Sequence, residues 1–498
     1  MPEFITRRRF LSAIAGAAAM PFISPALVLA GQKAKTPKMN VLFIAVDDLR
    51  PQLGCYGHKQ IISPNIDRLA AEGMIFERTY CQQAVCAPSR ASLLTGTRPD
   101  TTKIYDLNTP VRKAMPNVLT LPEHFKNNGY ETISIGKIYH HVQDDLQGWT
   151  AQPYRADSSP QRAWKGRGYL TEEAVAQMEQ YNKARPNMNM QGQGPAFEAA
   201  DVSDEAYPDG ANTVYAVEQL NRLKDKPFFL AMGLYKPHLP FNAPKKYWDM
   251  YDRPKIKLAD NPFIPRNAPT YATTNWDELR NYAGIPQKGP CPDDLARQLI
   301  HGYYACVTYI DAQIGLLLNE LDRLNIRKNT VIILWGDHGW KLGEHAGWCK
   351  HTNFELDTHV PMILSVPGMK NAGKRTGALT EYVDIYPTLC EVCDLPVPAH
   401  IEGLSTVPLL KDPARPWKKA AFSQYPRGNV MGYTMRTERL RYTEWQDRKT
   451  GEILARELYD HQSDPDENVN AADEPQYEKD VARLSQMLKA GWRAALPE

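Results

Sequence analysis

The sequence predicts an α/β fold, an open sheet of mostly buried strands flanked by helices and followed by a smaller α+β unit. Three observations carry this. Short β-rich apolar runs recur ahead of polar turns, at Asn40–Val46, Thr132–Ile135, Phe228–Met232, Thr330–Trp335 and Met362–Val366. They are apolar throughout rather than alternating, as strands buried on both faces require. Helix-like stretches separate them, and from Asp293 to Leu324 the apolar residues recur at a spacing that predicts one or two helices. Past the proline-rich Lys411-Asp412-Pro413-Ala414-Arg415-Pro416, Tyr433–Arg436 and Leu440–Trp445 read as strands of a second sheet, closed by a helix near Tyr477–Ala495.

Taken in order, the chain opens with Thr6, Arg7, Arg8, Arg9, Phe10 and Leu11 ahead of an Ala-rich apolar stretch from Ile14 to Ala30, with small residues for cleavage at Val28-Leu29-Ala30. This predicts an export signal of the twin-arginine kind over residues 1–30, and with it a periplasmic or cell-surface place in a bacterium. An uncleaved membrane anchor is the alternative, but Pro21 and Pro25 interrupt the run and its length is marginal for spanning. No later stretch is long and apolar enough to span, so no stable membrane insertion is expected after signal removal. The main domain is expected over 36–412 and the smaller subdomain over 413–498. Between the second and third runs, residues 148–211 are rich in Gln, Asn, Pro and Gly and predict a long irregular insertion on the surface or over a cleft. No internal repeat is present.

Composition narrows the partners. The 498 residues are 43% hydrophobic, enough to bury a large core. The 59 Lys and Arg nearly balance the 57 Asp and Glu, for a formal charge of +2, and no basic tract follows the extreme N-terminus. Nucleic acid is therefore not an expected partner, and any anion binding must be local. The eight cysteines are scattered rather than spaced as a disulfide scaffold. Cys390 and Cys393 form a C-x-x-C that the apolar spacing of Ile385, Leu389 and Val392 places on one helical turn, as core thiols.

Two strand ends collect ionisable groups. "NVLFIAVDDLRP" delivers Asp47 and Asp48 after an apolar strand, and "TVIILWGDHGW" delivers Asp337 and His338 after another. Ligands of open α/β sheets gather beyond the carboxyl ends of strands. Three carboxylates and an imidazole converging there repel one another unless a cation sits among them, and an oxygen-rich set favours a hard ion such as Ca²⁺ or Mg²⁺. Taken singly, each Asp after a strand also fits a turn residue or helix cap.

Cys86 stands where a helix is about to begin, and a buried filler, half a disulfide, a metal ligand and a nucleophile are all open to it. A cysteine-phosphatase loop places Arg six residues after its cysteine, whereas Arg90 follows by four, and a thiol protease gives no reason for a dication. Cys86-Ala87-Pro88-Ser89-Arg90 followed by Ala91-Ser92-Leu93-Leu94-Thr95-Gly96 instead resembles the maturation signature of the sulfatase family, in which that cysteine is oxidised to formylglycine. Asp47 and Asp48 match the family's first metal pair, Gly136-Lys137 with His140 its G-K-x-x-H element, and Lys350 after Gly343-Glu344-His345 its sulfate-binding lysine. Many sulfatases have Asn where this chain has His338, which resembles the iduronate-2-sulfatase branch. Lys236-Pro237-His238, Gly339-Trp340, Ala421-Phe422-Ser423-Gln424-Tyr425-Pro426-Arg427 and Met431-Gly432-Tyr433 with Arg436-Thr437 are further matches.

The resemblance implies an alkaline-phosphatase/sulfatase-like large mixed sheet flanked by helices, with a smaller C-terminal α+β subdomain. It implies one Ca²⁺ per chain, with Mg²⁺ the second choice, held by Asp47, Asp48, Asp337, His338 and the oxygen at position 86, and a formylglycine-generating enzyme as partner during maturation. A hydrated aldehyde offers one hydroxyl to attack sulfur and a second to expel sulfate, which neither a thiol nor a serine offers. In that scheme Arg90 holds the modified side chain, Lys137 and Lys350 bind the sulfate oxygens, and His140 is the base. His238, with Lys350 as competitor, is the acid for the leaving alkoxide, and Trp340 lines the sugar. The implied substrate is a sulfated oligosaccharide carrying the 2-O-sulfate of a terminal uronic acid, as in glycosaminoglycan degradation. Other sulfated glycans, phosphoester or phosphonate hydrolysis, and a sugar-binding protein without catalysis are the alternatives.

Overall fold

Seven strands build the central sheet: β1 Asn40–Val46, β2 Met74–Tyr80, β3 Glu131–Gly136, β4 Phe228–Leu234, β5 Thr330–Gly336, β6 His359–Ser365 and β7 Arg375–Glu381. The computed structural model describes residues 38–140, 143–156, 168–186 and 193–497, so the export segment lies outside the described residues. The strand order is β7-β2-β6-β5-β1-β4-β3. β1 runs parallel to β4 and β5, and β3 parallel to β4, whereas β6 is antiparallel to both β2 and β5. The sheet is thus mixed, with a parallel half that carries the strand ends singled out above.

The continuous apolar runs are explained by burial on both faces. Alternate residues of one strand enter two different cores: Leu42, Ile44 and Val46 pack on one side of the sheet, Val41, Phe43 and Ala45 on the other. Phe43 stacks between Phe229 and Trp335, each ring centroid 5.3 Å away. Burial of each such side chain contributes about 1.5–3 kcal/mol. The helices that cover the sheet include α1 Cys86–Thr95, α2 Pro208–Leu223, α3 Asp293–Arg323 and α4 Ile385–Val392. The Asp293–Leu324 stretch forms the single helix α3, which packs on α2. Cys390 lies on α4 and Cys393 caps its end, both in the core, and all eight cysteines are free.

Two local readings need correction. Residues 148–211 are more ordered than their composition suggests: they hold the helix Glu172–Lys183, whose N-cap Thr171 accepts from Ala174 N, and the strand Phe197–Ala200, which pairs with Phe241–Pro244. The strands β2 and β7 go unread because Glu77 and Arg78, and Gly377, interrupt their apolar character.

The C-terminal sheet is a separate antiparallel meander of β8 Ala420–Arg427, β9 Val430–Thr437, β10 Leu440–Asp447 and β11 Ile453–Asp460, covered by helix α5 Glu478–Ala490. Its small core includes Met435, Tyr442, Leu458 and Leu484. Among the described residues, no helix is long and apolar enough to cross a membrane.

Candidate active site

Four parallel strands end in register, and their next residues form the site. Val46 lies beside Leu234 and Gly336, and Gly136 beside Gly233. The ladder then continues one bond further: Asp47 N donates to Leu234 O, Asp337 N to Val46 O and Lys137 N to Gly233 O, at 3.0–3.1 Å. Two glycines permit this crowding. A Cβ on Gly233 would meet Lys137 O at 2.1 Å, and Gly136, at φ +69°, would place one 2.0 Å from Gly233 O. Asp48 takes a left-handed φ of 60°, a conformation that Asp tolerates better than most side chains.

Cys86 arrives from another direction. β2 ends at Tyr80, a buried loop crosses the strand ends, and α1 begins at Cys86, which sets this side chain at the positive end of the helix dipole. The ligand atoms of Asp47, Cys86, Asp337 and His338 lie within 4.8 Å of one another, all buried. Cys86 Sγ is 3.3 Å from His338 Nε2 and 3.5 Å from Asp47 Oδ1. Burial, with Asp47 beside it, pushes the Cys86 thiol well above its ordinary range, so the unmodified side chain is a poor thiolate nucleophile. Arg90, one turn along α1, donates through Nε to Asp337 at 2.9 Å, approaches Asp47 at 3.4 Å, and reaches the carbonyls of Lys137 and Ile138.

Asp48 stands slightly apart from the other ligands. Its carboxylate accepts from Lys350 Nζ at 3.0 and 3.2 Å, while its Oδ1 remains 3.5 Å from His338 Nε2. Burial pushes Asp48 up to about 7 in spite of Lys350, with Asp47 adding to the rise. Asp47 is buried as deeply but is held well below the usual carboxylate range by Lys137, His238 and Arg90. This donor set fits a hard dication: four protein groups with oxygen predominant, buried, and with one carboxylate that burial leaves unwilling to ionise until a cation arrives.

Lys137 pairs with Asp47, and Lys350 bridges Asp48 to Glu278, at 2.8 Å from Glu278 Oε2. His238 reaches the cluster on a turn whose Tyr235 and Lys236 amides both donate to the Asp209 carboxylate. Its Nε2 lies 3.0 Å from Glu278 Oε1 and 4.0 Å from Asp48 Oδ2. Burial and Lys350 pull His238 down, while Asp47 and Glu278 hold it up. His140 is half-buried in the turn that leaves β3, three residues past Lys137.

Trp340 requires a correction: its ring is 1% exposed and packs on Phe241, with Lys350 Nζ 4.8 Å from its centroid. It supports Lys350 and presents no face to a sugar. Glu278 is the site residue that sequence reasoning misses, since it lies on the four-residue helix Asp277–Arg280 in a stretch without motif or periodicity. Two further matched motifs make structural contacts. Glu344 pairs with Arg50 at 2.8 Å and so holds the chain leaving β1, and Asn353 donates to Gly432 O, tying the C-terminal sheet to the site. A second group of metal-type ligands, Glu355, His461 and Glu467, is already engaged by Arg441 and Arg436.

A metal-ready cluster at the carboxyl ends of a mixed sheet, with a helix-opening cysteine inside it, defines a hydrolase of charged esters. Residues 39–395 match the family profile Sulfatase, and residues 343–493 match N-sulphoglucosamine sulphohydrolase, C-terminal. The chain belongs to the sulfatase family and is a sulfuric ester hydrolase. It is 35% identical to the iduronate 2-sulfatases of Mus musculus and Homo sapiens, over 89% of this chain and 92% of each relative. A sulfatase of Formosa agariphila is 31% identical over 92% of this chain and 88% of its own length. The fold is shared with a solved enzyme complexed with its substrate D-glucosamine-2-N,6-O-disulfate, at a TM-score of 0.73, 23% identity, and coverage of 92% of this chain and 98% of that one. It is shared equally with the phosphonate monoester hydrolase of Agrobacterium radiobacter, at a TM-score of 0.71, 22% identity, and coverage of 91% and 95%.

Proposed function

We propose that this protein removes the 2-O-sulfate from a terminal uronic acid of glycosaminoglycan fragments, using a formylglycine made from Cys86 by a formylglycine-generating enzyme. The observation that carries the sulfate reading is the match of residues 39–395 to the sulfatase family, and the charge of the cluster agrees with it. Asp47, Asp48, Asp337 and Glu278 face three fixed cations, Arg90, Lys137 and Lys350. With every carboxylate ionised, a bound dication leaves the cluster one positive charge in excess, and two while His238 holds the proton it donates, so an anion is wanted there. A sulfate monoester, with one negative charge, is drawn to that excess. The uronate reading rests on likeness to the iduronate 2-sulfatases, which extends along most of both chains.

When present, formylglycine supplies an oxygen nucleophile, and a dication beside it, Ca²⁺ by resemblance, lowers the pKa of that nucleophile and neutralises sulfate charge. The chain's own residues do the rest. Arg90 fixes position 86 against Asp47 and Asp337. Lys137 and Lys350 receive the sulfate oxygens, giving up part of their bonds to Asp47 and Asp48. His238 protonates the leaving sugar oxygen, and His140 takes the proton whose removal releases sulfate. Arg7 and Arg8 would direct export to the periplasm or cell surface before this chemistry is used.

The test is to offer purified, formylglycine-bearing enzyme a panel of saturated and unsaturated uronate 2-O-sulfated disaccharides, 6-O- and N-sulfated counterparts, fucose sulfates and a phosphonate monoester. The highest kcat/KM is expected on the uronate 2-O-sulfate. Preference for another sulfated sugar would replace the substrate and keep the sulfatase chemistry; preference for the phosphonate ester, which carries the same single charge, would replace both.

A further inference from the structure

We propose that Glu278 is a positioning residue for the acid His238, an inference that rests on the sulfatase reading above. The argument is one of hydrogen-bond partners. His238 Nδ1 faces the carbonyl of Leu239 at 2.7 Å, and Nε2 faces Glu278 Oε1 at 3.0 Å. A carbonyl and a carboxylate are both acceptors, so the pocket offers an acceptor to each ring nitrogen, and when the ring is protonated both bonds are made and Nε2 is the nitrogen placed to lose its proton. That nitrogen also faces the carboxylate cluster, with Asp48 Oδ2 4.0 Å away. As the sulfur–oxygen bond of the ester breaks and sulfur bonds to the nucleophile, the Nε2 proton passes to the leaving oxygen. The ring keeps its Nδ1 proton on the Leu239 carbonyl.

Glu278 matters more to His238 than to its other partner. Lys350 has independent anchors in Asp48, at 3.0 and 3.2 Å, and in the face of Trp340. The contact of His238 Nδ1 is to a backbone carbonyl of the next residue, and Glu278 holds the opposite ring nitrogen from a distant element, so that the two together fix the ring plane. The carboxylate is itself well placed to do so: it is nearly buried, and Lys350 Nζ holds it at 2.8 Å from Oε2 and 3.0 Å from Oε1. Glutamine at 278 would keep the shape but lose the charge and one acceptor, so that His238 and Lys350 compete for a single amide oxygen and Lys350 still has Asp48.

Leaving-group dependence tests this. An alkoxide needs a proton as it departs, whereas an activated aryl oxide does not, so loss of a positioned acid falls on the sugar sulfate. In matured enzyme, Glu278→Gln is expected to lower kcat on a 2-O-sulfated uronate on the order of 100-fold, and on a nitrophenyl sulfate by less than about tenfold. Glu278→Asp should recover part of the sugar-sulfate loss and carries the same test if the glutamine variant does not fold. In a His238→Asn background, Glu278→Gln should cost nothing further. Equal losses on the two esters, or additive losses in the double variant, would overturn the role of Glu278 and leave the sulfatase reading intact. A matured wild type inactive on both esters would overturn the two together.

Discussion

Two of the buried charge clusters in this molecule are built to opposite ends. In the first, Glu381 at the end of β7 accepts from both Arg98 nitrogens at 2.7 and 2.8 Å and from Lys418 at 2.7 Å, and Lys418 also reaches Asp384. Two cations meet two carboxylates, with Phe422 N donating to Glu381 as well, so the charges match and the cluster pins the C-terminal sheet to the central one. In the second, at the ends of β1 and β5, carboxylates outnumber fixed cations, and Asp48 is pushed up to about 7 by burial. The difference teaches where each cluster spends its interactions. Matched charge makes stability and leaves nothing for a ligand; unmatched charge sacrifices stability so that a cation and an anion are wanted there.

The comparison breaks most visibly at Cys86. Cys86→Ala is expected to lower sulfate-ester turnover on the order of 10⁴-fold or more, with the thermal unfolding midpoint nearly unchanged. Peptide mass spectrometry of the active wild type should find formylglycine at position 86; full activity with an unmodified thiol there would refute the mechanism.

In the matched cluster the pattern should invert. Glu381→Gln is expected to cost about 3–5 kcal/mol of stability while preserving kcat per folded molecule, because it leaves Arg98 and Lys418 buried without their shared partner. Burial raises Glu381, but Arg98 and Lys418 outweigh it and bring it from 4.5 down to about 2. Its contribution is therefore present above pH 4.5 and lost as the pH falls from 4.5 toward 2, through the folded value. Urea unfolding of wild type should steepen in that window, and the glutamine variant should lose the extra slope. An unchanged slope would remove Glu381 from the acid response.

The smallest effect sharpens the other side. A dication at 100 times its Kd adds about 2.7 kcal/mol to the folded state, so chelation should lower the wild-type midpoint and Ca²⁺ restore it. Asp47→Asn should abolish that shift and the activity, and should leave the metal-free protein less stable than metal-free wild type, since Lys137 and Arg90 lose the buried carboxylate they hold ionised. A metal response retained in Asp47→Asn would place that residue outside the ligand set.

Much of this was legible in the chain. β1, β4 and β5 announce themselves because a strand buried on both faces is apolar at every position, a local property. The residues that follow them inherit their place from the strand, so Asp47, Asp48, Asp337 and His338 were readable as neighbours once the strands were taken as parallel. Cys86-Ala87-Pro88-Ser89-Arg90 is legible for a related reason: its motif is contiguous, and the helix it opens carries Arg90 one turn away. The strands β2 and β7 were not legible, because edge-side positions tolerate Glu77, Arg78 and Gly377.

Sequence by itself determined the strand-end chemistry, the helix-opening Cys86 motif and the family, all of which depend on residues adjacent or nearly adjacent in the chain. Tertiary structure alone decided that Trp340 lies under Lys350 instead of facing a sugar, that Asp48 leans to Lys350, and that Glu278 joins Lys350 to His238. Glu278 is forty residues from His238 and seventy-two from Lys350. Groups so distant meet only through the packing of separate loops on the sheet, and hydrogen-bond distances of about 3 Å are set by that packing and by nothing local in the chain.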